Sequence, residues 1–262
     1  MQPDLPVLAT IDGQKLNIGA QADAIRLSIA RLCAGQGFTL FTLNLDHLVK
    51  RRAAPAFRAA YGNATFVTAD GAPIVALARR QGAHISRATG ADLVEPLCAA
   101  AARHGLPVCF YGSRQDILDA AARRLAAARP GLVIAASMAP PQGFDPASAQ
   151  ALADMAALAD SGARLCFVAL GAPKQELFAA RMAALHPGIG FVCIGAALDF
   201  VAGAQKRAPA FFQRTGMEWA WRLACEPRRL AMRYLGCALL LADVALLDPL
   251  RALLPPARKV RG

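Results

Sequence analysis

Short, unbroken apolar runs alternate along this chain with longer stretches in which apolar residues recur every three or four positions. The runs Phe38–Leu43, Thr65–Thr68, Val108–Tyr111, Leu132–Ala135, Leu165–Leu170 and Phe191–Ile194 are rich in Val, Ile, Phe and Leu. They lack a polar alternation, which is the pattern of strands covered on both faces. Between them, Asp46–Tyr61, Ala91–His104, Asp116–Ala128 and Ala147–Ser161 have the composition and spacing of helices. Gly105-Leu106-Pro107 and Arg129-Pro130-Gly131 end helices ahead of strands, as Gly and Pro do. The alternation predicts an α/β fold, a mainly parallel sheet with helices on both faces. It stops near residue 205. Two helical stretches, Ala208–Leu223 and Pro227–Leu247, and a Pro/Arg tail are expected there, so residues 1–204 form an α/β body and 205–262 a helical appendage.

In such sheets ligands bind outside the carboxyl ends of the strands, so the polar residues just after each apolar run matter most. They are Thr42 and Asn44, Asp70-Gly71, Gly112-Ser113, Gly171–Glu176, and Gly195 with Asp199. Asp70 ends a strand and precedes a glycine, a position that holds a carboxylate firmly while exposing it, as a general base requires. The plainer alternative is that Asp70 caps a helix over Ala72–Gln81. In Gly171-Ala172-Pro173-Lys174-Gln175-Glu176 the glycine permits close approach of a ligand and the helix start attracts anions. Lys174 adds charge and Gln175 both a donor and an acceptor, although an ordinary capped helix start reads the same way. There is no Walker loop and no Gly-x-Gly-x-x-Gly.

Composition narrows the picture. At 56% hydrophobic and 18% charged, the 262 residues enclose a core rather than stay disordered. Seven scattered cysteines without a Cys-x-x-Cys pair are expected to be reduced core thiols. The four histidines are too dispersed for a zinc motif, and no Asp-x-Asp pair is present to hold a metal on a diphosphate. No secretory signal is expected at the N-terminus, and the longest nearly uncharged run, Tyr234–Leu247, is too short to span a membrane. Of the net charge of +11, residues 205–262 carry +7, from 11 Lys/Arg and 4 Asp/Glu. The partner is therefore anionic: phosphates, a membrane surface or nucleic acid. Arg228, Arg229 and Arg233 ahead of a broad apolar stripe suit a helix lying in a membrane interface, or equally a core helix with solvated arginines. Arg222 and Arg229, seven apart, would share a face of one helix, but Pro227 between them argues for a break. Against an RNA-binding reading, only three tyrosines and two tryptophans accompany the arginines. Against another nucleotide-sugar enzyme such as an epimerase stands the missing dinucleotide fingerprint.

Taken together the motifs resemble one family. Thr42-x-Asn44, Ala69-Asp70-Gly71, Arg87-x-x-Gly90-x-Asp92-Leu93, Gly171-x-Pro173-Lys174-Gln175-Glu176, Gly195-Ala196-x-x-Asp199-Phe200-x-x-Gly203, Arg207-Ala208-Pro209 and Glu218-Trp219-x-x-Arg222-Leu223-x-x-Glu226-Pro227-x-Arg229 follow the order of the WecG/TagA/CpsF glycosyltransferases. The resemblance implies a Rossmann-like catalytic domain with a C-terminal membrane-associating appendage. It also implies inverting, metal-independent transfer of a hexose (glucose, ManNAc or ManNAcA type) from a UDP-sugar to a polyprenyl-diphosphate-linked sugar. The setting would be cell-envelope or exopolysaccharide synthesis at the cytoplasmic face of the bacterial inner membrane. No cofactor and no nucleic acid enter that reading. The apolar appendage would bury itself in a homo-oligomer off the membrane. By resemblance Asp70 is the base, and Thr42, Asn44, Arg87 and Gln175 line the donor and acceptor pocket. Arg222 and Arg229 come from the appendage, and Gly171, Lys174 and Asp199 join the substrate-binding set from their places after strands. In the family's pattern an arginine stands ten residues beyond position 222. Here that residue is Met232, with Arg233 one step on, which replaces it or faces elsewhere.

Overall fold

A computed structural model describes residues 5–209, 211, 212 and 215–247, with the side chains of Arg222, Arg229, Leu246 and Leu247 outside that description. Six parallel strands form the main sheet: β3 (Phe38–Leu43), β4 (Phe66–Ala69), β5 (Val108–Gly112), β6 (Ile134–Met138), β7 (Leu165–Ala169) and β8 (Gly190–Cys193). Their order is β4-β3-β8-β7-β5-β6. The chain thus builds outward from β3 to β4, crosses to the other half of the sheet, and returns to lay β8 beside β3. A crevice opens at such a reversal, because the loops after the two neighbouring strands leave in opposite directions.

Strand residues alternate between two cores. Phe41 and Leu43 of β3 and Cys166 and Val168 of β7 face one layer; Phe38, Leu40, Leu165 and Phe167 face the other. The first layer is closed by α2 (Leu45–Ala53), α3 (Pro55–Gly62), α4 (Ala72–Arg80), α7 (Ala149–Asp160) and α8 (Lys174–Leu185). The second is closed by α1 (Gln21–Cys33), α5 (Gly90–Arg103), α6 (Gln115–Ala128) and α9 (Ala197–Ala202). Burial on both faces is why the strands read as continuous apolar runs. Gly90, at the start of α5, packs so closely on the end of β8 that an added Cβ would lie 2.7 Å from the Ile194 Cα. That contact pins α5 to the strand.

Several expectations need correction. The single helix expected over Asp46–Tyr61 is two, α2 and α3, because Pro55 cannot continue the α2 ladder and starts a new helix instead. The strand expected at Leu132–Ala135 lies two or three residues later, at the sheet edge, where its side chains are half-buried and the apolar signal is weakest. A small antiparallel hairpin, β1 (Ala9–Ile11) and β2 (Gln14–Leu16), and helix α1 were not expected; the hairpin turns on Asp12 and Gly13, both with positive φ. Ala208–Leu223 is not one helix. A turn at Thr215 and Gly216, the latter at φ 73°, interrupts it, and helix α10 begins only at Glu218 and ends at Cys225. Next comes α11 (Pro227–Ala242), continued by a π turn over Asp243–Leu247. All seven cysteines are free; five are buried, but Cys33 and Cys225 are exposed and so are not core thiols.

Helix α11 divides its apolar residues. Leu230, Cys237 and Leu240 are buried, α11 packing on α2, while Met232, Leu235 and Leu239 are 75%, 52% and 65% exposed. One face of the helix is thus core, as one of the two expectations had it, and the other leaves three large apolar side chains uncovered. Among the described residues no helix is long and apolar enough to cross a membrane.

Candidate active site

The carboxyl ends of β4, β3, β8 and β7 are neighbours in the sheet, and most of the residues singled out above stand at or just past them. Thr42 and Thr68 are register partners in β3 and β4, and the Asp70 amide donates to the Leu43 carbonyl at 2.8 Å, extending that pairing one residue past the strand. Gly71 follows at φ 92°, a value a side chain resists, and turns the chain sharply into α4. Gly71, not Asp70, is the N-cap, and no side chain caps α4. The helix-cap alternative for Asp70 therefore falls, and its half-buried carboxyl group stands at a rigid strand end.

Asn44 caps α2. Its Oδ1 accepts from the His47 amide at 3.0 Å, and its Nδ2 lies 3.5 Å from His47 Nε2. Behind it, His47 Nδ1 is 2.7 Å from the Tyr61 hydroxyl, which donates to the Thr42 carbonyl at 3.2 Å. One tautomer satisfies this set: His47 donates from Nδ1 to Tyr61, and Nε2 faces the Asn44 amide. Burial lowers the His47 pKa to about 4, so the ring is neutral in ordinary buffers. Burial pushes the Tyr61 phenol well up, so it stays a donor. His47 and Tyr61 were missed in the sequence. The signal was a histidine one turn into the helix that Asn44 caps.

The sign of the acid response follows. With a folded pKa of about 4 against 6.5 unfolded, the neutral ring contributes stability that is present above pH 6.5 and lost as pH falls toward 4. The shift corresponds to about 3 kcal/mol. Urea unfolding of wild type and His47→Asn at pH 6.5 and 4.5 should show the variant losing less stability across that window. Equal losses would place the titration elsewhere.

On the other side of the crevice, Gly171 follows β7 and accepts the Gln175 amide at 3.1 Å, starting α8 after a cis Ala172–Pro173 bond. Gln175 is buried. Its Oε1 accepts from the Gly195 amide at 3.0 Å, just past β8, and its Nε2 donates to Glu176 Oε1 at 2.8 Å. Lys174 turns away from this pair and donates to the Phe144 carbonyl at 2.8 Å. Beside β5, Ser113, at φ 52°, lies 3.5 Å from Asp199, whose carboxyl pKa is raised by burial.

Arg87 lies in a closed cluster of charges. It bonds Glu218 of α10 and lies 3.7 Å from Asp92, while Arg207 bonds Asp92 at 2.6 Å and Glu218 at 3.5 Å. Asp92 also completes the capping box of α5 with Thr89. Burial works against its charge, but Arg207 and Thr89 outweigh that and hold its carboxyl group below the usual range. Two arginines and two carboxylates, each about a quarter exposed, thus fasten the segment beyond residue 204 to the body.

The sequence model of the glycosyl transferase WecG/TagA/CpsF family matches residues 10–252. The chain belongs to this family. It is therefore a glycosyltransferase of cell-surface polysaccharide synthesis, working between a sugar donor and a lipid-linked acceptor.

Within this WecG/TagA/CpsF chain, Thr42, Asn44, Asp70, Gly171 and Gln175 stand at or beyond the carboxyl ends of the neighbouring strands β4, β3 and β7, with Thr42 and Gln175 buried, and Asp199 lies near Ser113 after β5. Arg222 and Arg229 belong to α10 and α11, but their side chains lie outside the described residues. At the departure from the family's pattern, Met232 is exposed and Arg233 pairs with Asp46 of α2 at 2.9 Å. The same Asp46 oxygen takes Lys50 at 2.6 Å, and Lys50 also donates to the Ala172 carbonyl at 3.0 Å. Arg233 is thus tied to the body, and through Lys50 to the turn that carries Gln175.

Proposed function

We propose that this glycosyltransferase moves a hexose from a UDP-sugar to a polyprenyl-diphosphate-linked sugar with inversion, without a metal. The observation that carries the reading is Asp70, fixed at the end of β4 beside Thr42 and Asn44 at the reversal of the sheet. In this reading Asp70 takes the proton of the acceptor hydroxyl as its oxygen attacks the anomeric carbon, and the bond to UDP breaks on the opposite face. Thr42, Asn44, Gly171 and Gln175 hold donor and acceptor, and Asp199 with Ser113 serves the nucleoside end. Arginine forks at positions 222 and 229 balance the departing diphosphate, in place of a metal.

The enzyme would work at the cytoplasmic face of the inner membrane. Supporting this are the exposed Phe211, Trp219, Met232, Leu235 and Leu239, which share the segment holding most of the excess positive charge. UDP-sugars screened against short-chain polyprenyl-diphosphate sugars, with a chelator present, should give one product heavier by one sugar unit together with free UDP. No product from any pair, or activity only when metal is restored, would overturn the proposal. Binding to anionic liposomes that Leu235→Glu weakens would support the membrane assignment.

A further inference from the structure

Glu176 is completely buried, and its Oε2 has no hydrogen-bond partner. The neighbouring side chains offer none. From α3 it faces Tyr61, whose hydroxyl is engaged with His47 and the Thr42 carbonyl; from β8 it faces Cys193, a weak donor. From α2 it faces Asp46, which would repel a second negative charge, and Lys50. Lys50 is already bound to Asp46 and the Ala172 carbonyl, so the nearest cation is committed elsewhere. A carboxylate enclosed in this way would be a buried charge with only Gln175 Nε2 and its own backbone N–H to bond it, and no counterion of its own.

The uncharged acid fits. Oε1 then acts as a carbonyl accepting from Gln175, and the proton resides on Oε2. The orientation of the Gln175 amide is fixed from both ends, since the Gly195 N–H requires an oxygen and Glu176 Oε1 requires a donor. One Gln175 N–H remains, and its direction is set by the two bonds already made.

We infer that Glu176 is a positioning residue of the transfer reaction, acting as the uncharged acid: it fixes Gln175 and the Gly195 turn at the crevice, and its ionisation disables them. The inference rests on the proposed transfer reaction for its kinetic consequence, though not for the protonation itself. Burial pushes the carboxyl pKa up to about 7, which places the change within the range where enzymes are assayed.

Two measurements test it. In the purified protein without substrates, the infrared stretch of a protonated carboxyl group should be present at pH 6, fade as pH rises, and be missing from Glu176→Gln. A protein with no such band at pH 6 overturns the inference, whatever its activity. In the transfer assay, wild-type kcat/KM should fall about tenfold per pH unit beyond the ionisation, as for loss of one essential proton. Glu176→Gln, which can still present an oxygen to Gln175, should keep the low-pH rate within about threefold and lose the fall at high pH. Glu176→Leu, folded by circular dichroism, should be slow at every pH. A Glu176→Gln profile that falls like wild type, or a Glu176→Leu rate like wild type, overturns the positioning role. A band that titrates in a protein transferring no sugar at all would count against the UDP-sugar reading instead.

Discussion

Asp70→Asn should lower sugar transfer by about 10²–10⁴-fold, the range typical of losing a general base. Binding of UDP should be nearly unchanged. The local structure makes the substitution a clean one. The residue is placed by its backbone, through the Asp70 amide on the Leu43 carbonyl and through the Gly71 turn, and asparagine keeps both. The helix that follows does not use the side chain as its cap, so no capping energy is lost. What changes is the ability to accept a proton while the acceptor hydroxyl attacks. Calorimetric UDP binding and melting temperature close to wild type, beside a collapsed rate of UDP release, is the expected combination. A variant that transfers sugar at the parental rate would remove Asp70 from the chemistry, and one that no longer binds UDP would move it to the donor site.

Much of this site could be read in the sequence because strand ends are where apolar runs stop. Asn44, Asp70, Gly171 and Gln175 each follow a run covered on both faces, Thr42 lies at the end of one, and burial on both faces gives the strongest sequence signal a strand has. The signal weakened where one face was open. The edge strand β6 was displaced, and the β1–β2 hairpin, three residues to a strand, was not seen. Partnerships across the fold carried no sequence signal at all. Nothing in the spacing of Arg87 and Glu218, 131 residues apart, announces that they meet, nor that Arg233 would find Asp46. Glu176 reads as the last residue of a helix-start motif. Only the closure of α3, β8 and α2 around it makes it a buried acid.

Glu218→Lys should release α10 from the body while leaving α11 in place. The substitution sets three cations, at 87, 207 and 218, against Asp92 alone. Because each member of the cluster is about a quarter exposed, solvent moderates the loss, and about 1–3 kcal/mol of docking energy is expected to go. Helix α11 has separate anchors: the buried Leu230, Cys237 and Leu240, the Arg233–Asp46 pair, and Arg52 on Asp243 at 2.7 Å. Amide hydrogen exchange should therefore rise over Glu218–Cys225 and hold over Pro227–Ala242. If Arg222 on α10 stabilises the departing diphosphate, transfer should fall about ten- to a hundredfold, the rate equivalent of that energy. Binding of UDP to the body should change much less, because the loss falls on the transition state. Exchange that rises without any loss of transfer would show that the ionic cluster holds α10 for stability alone, and the diphosphate would then need its cations from elsewhere.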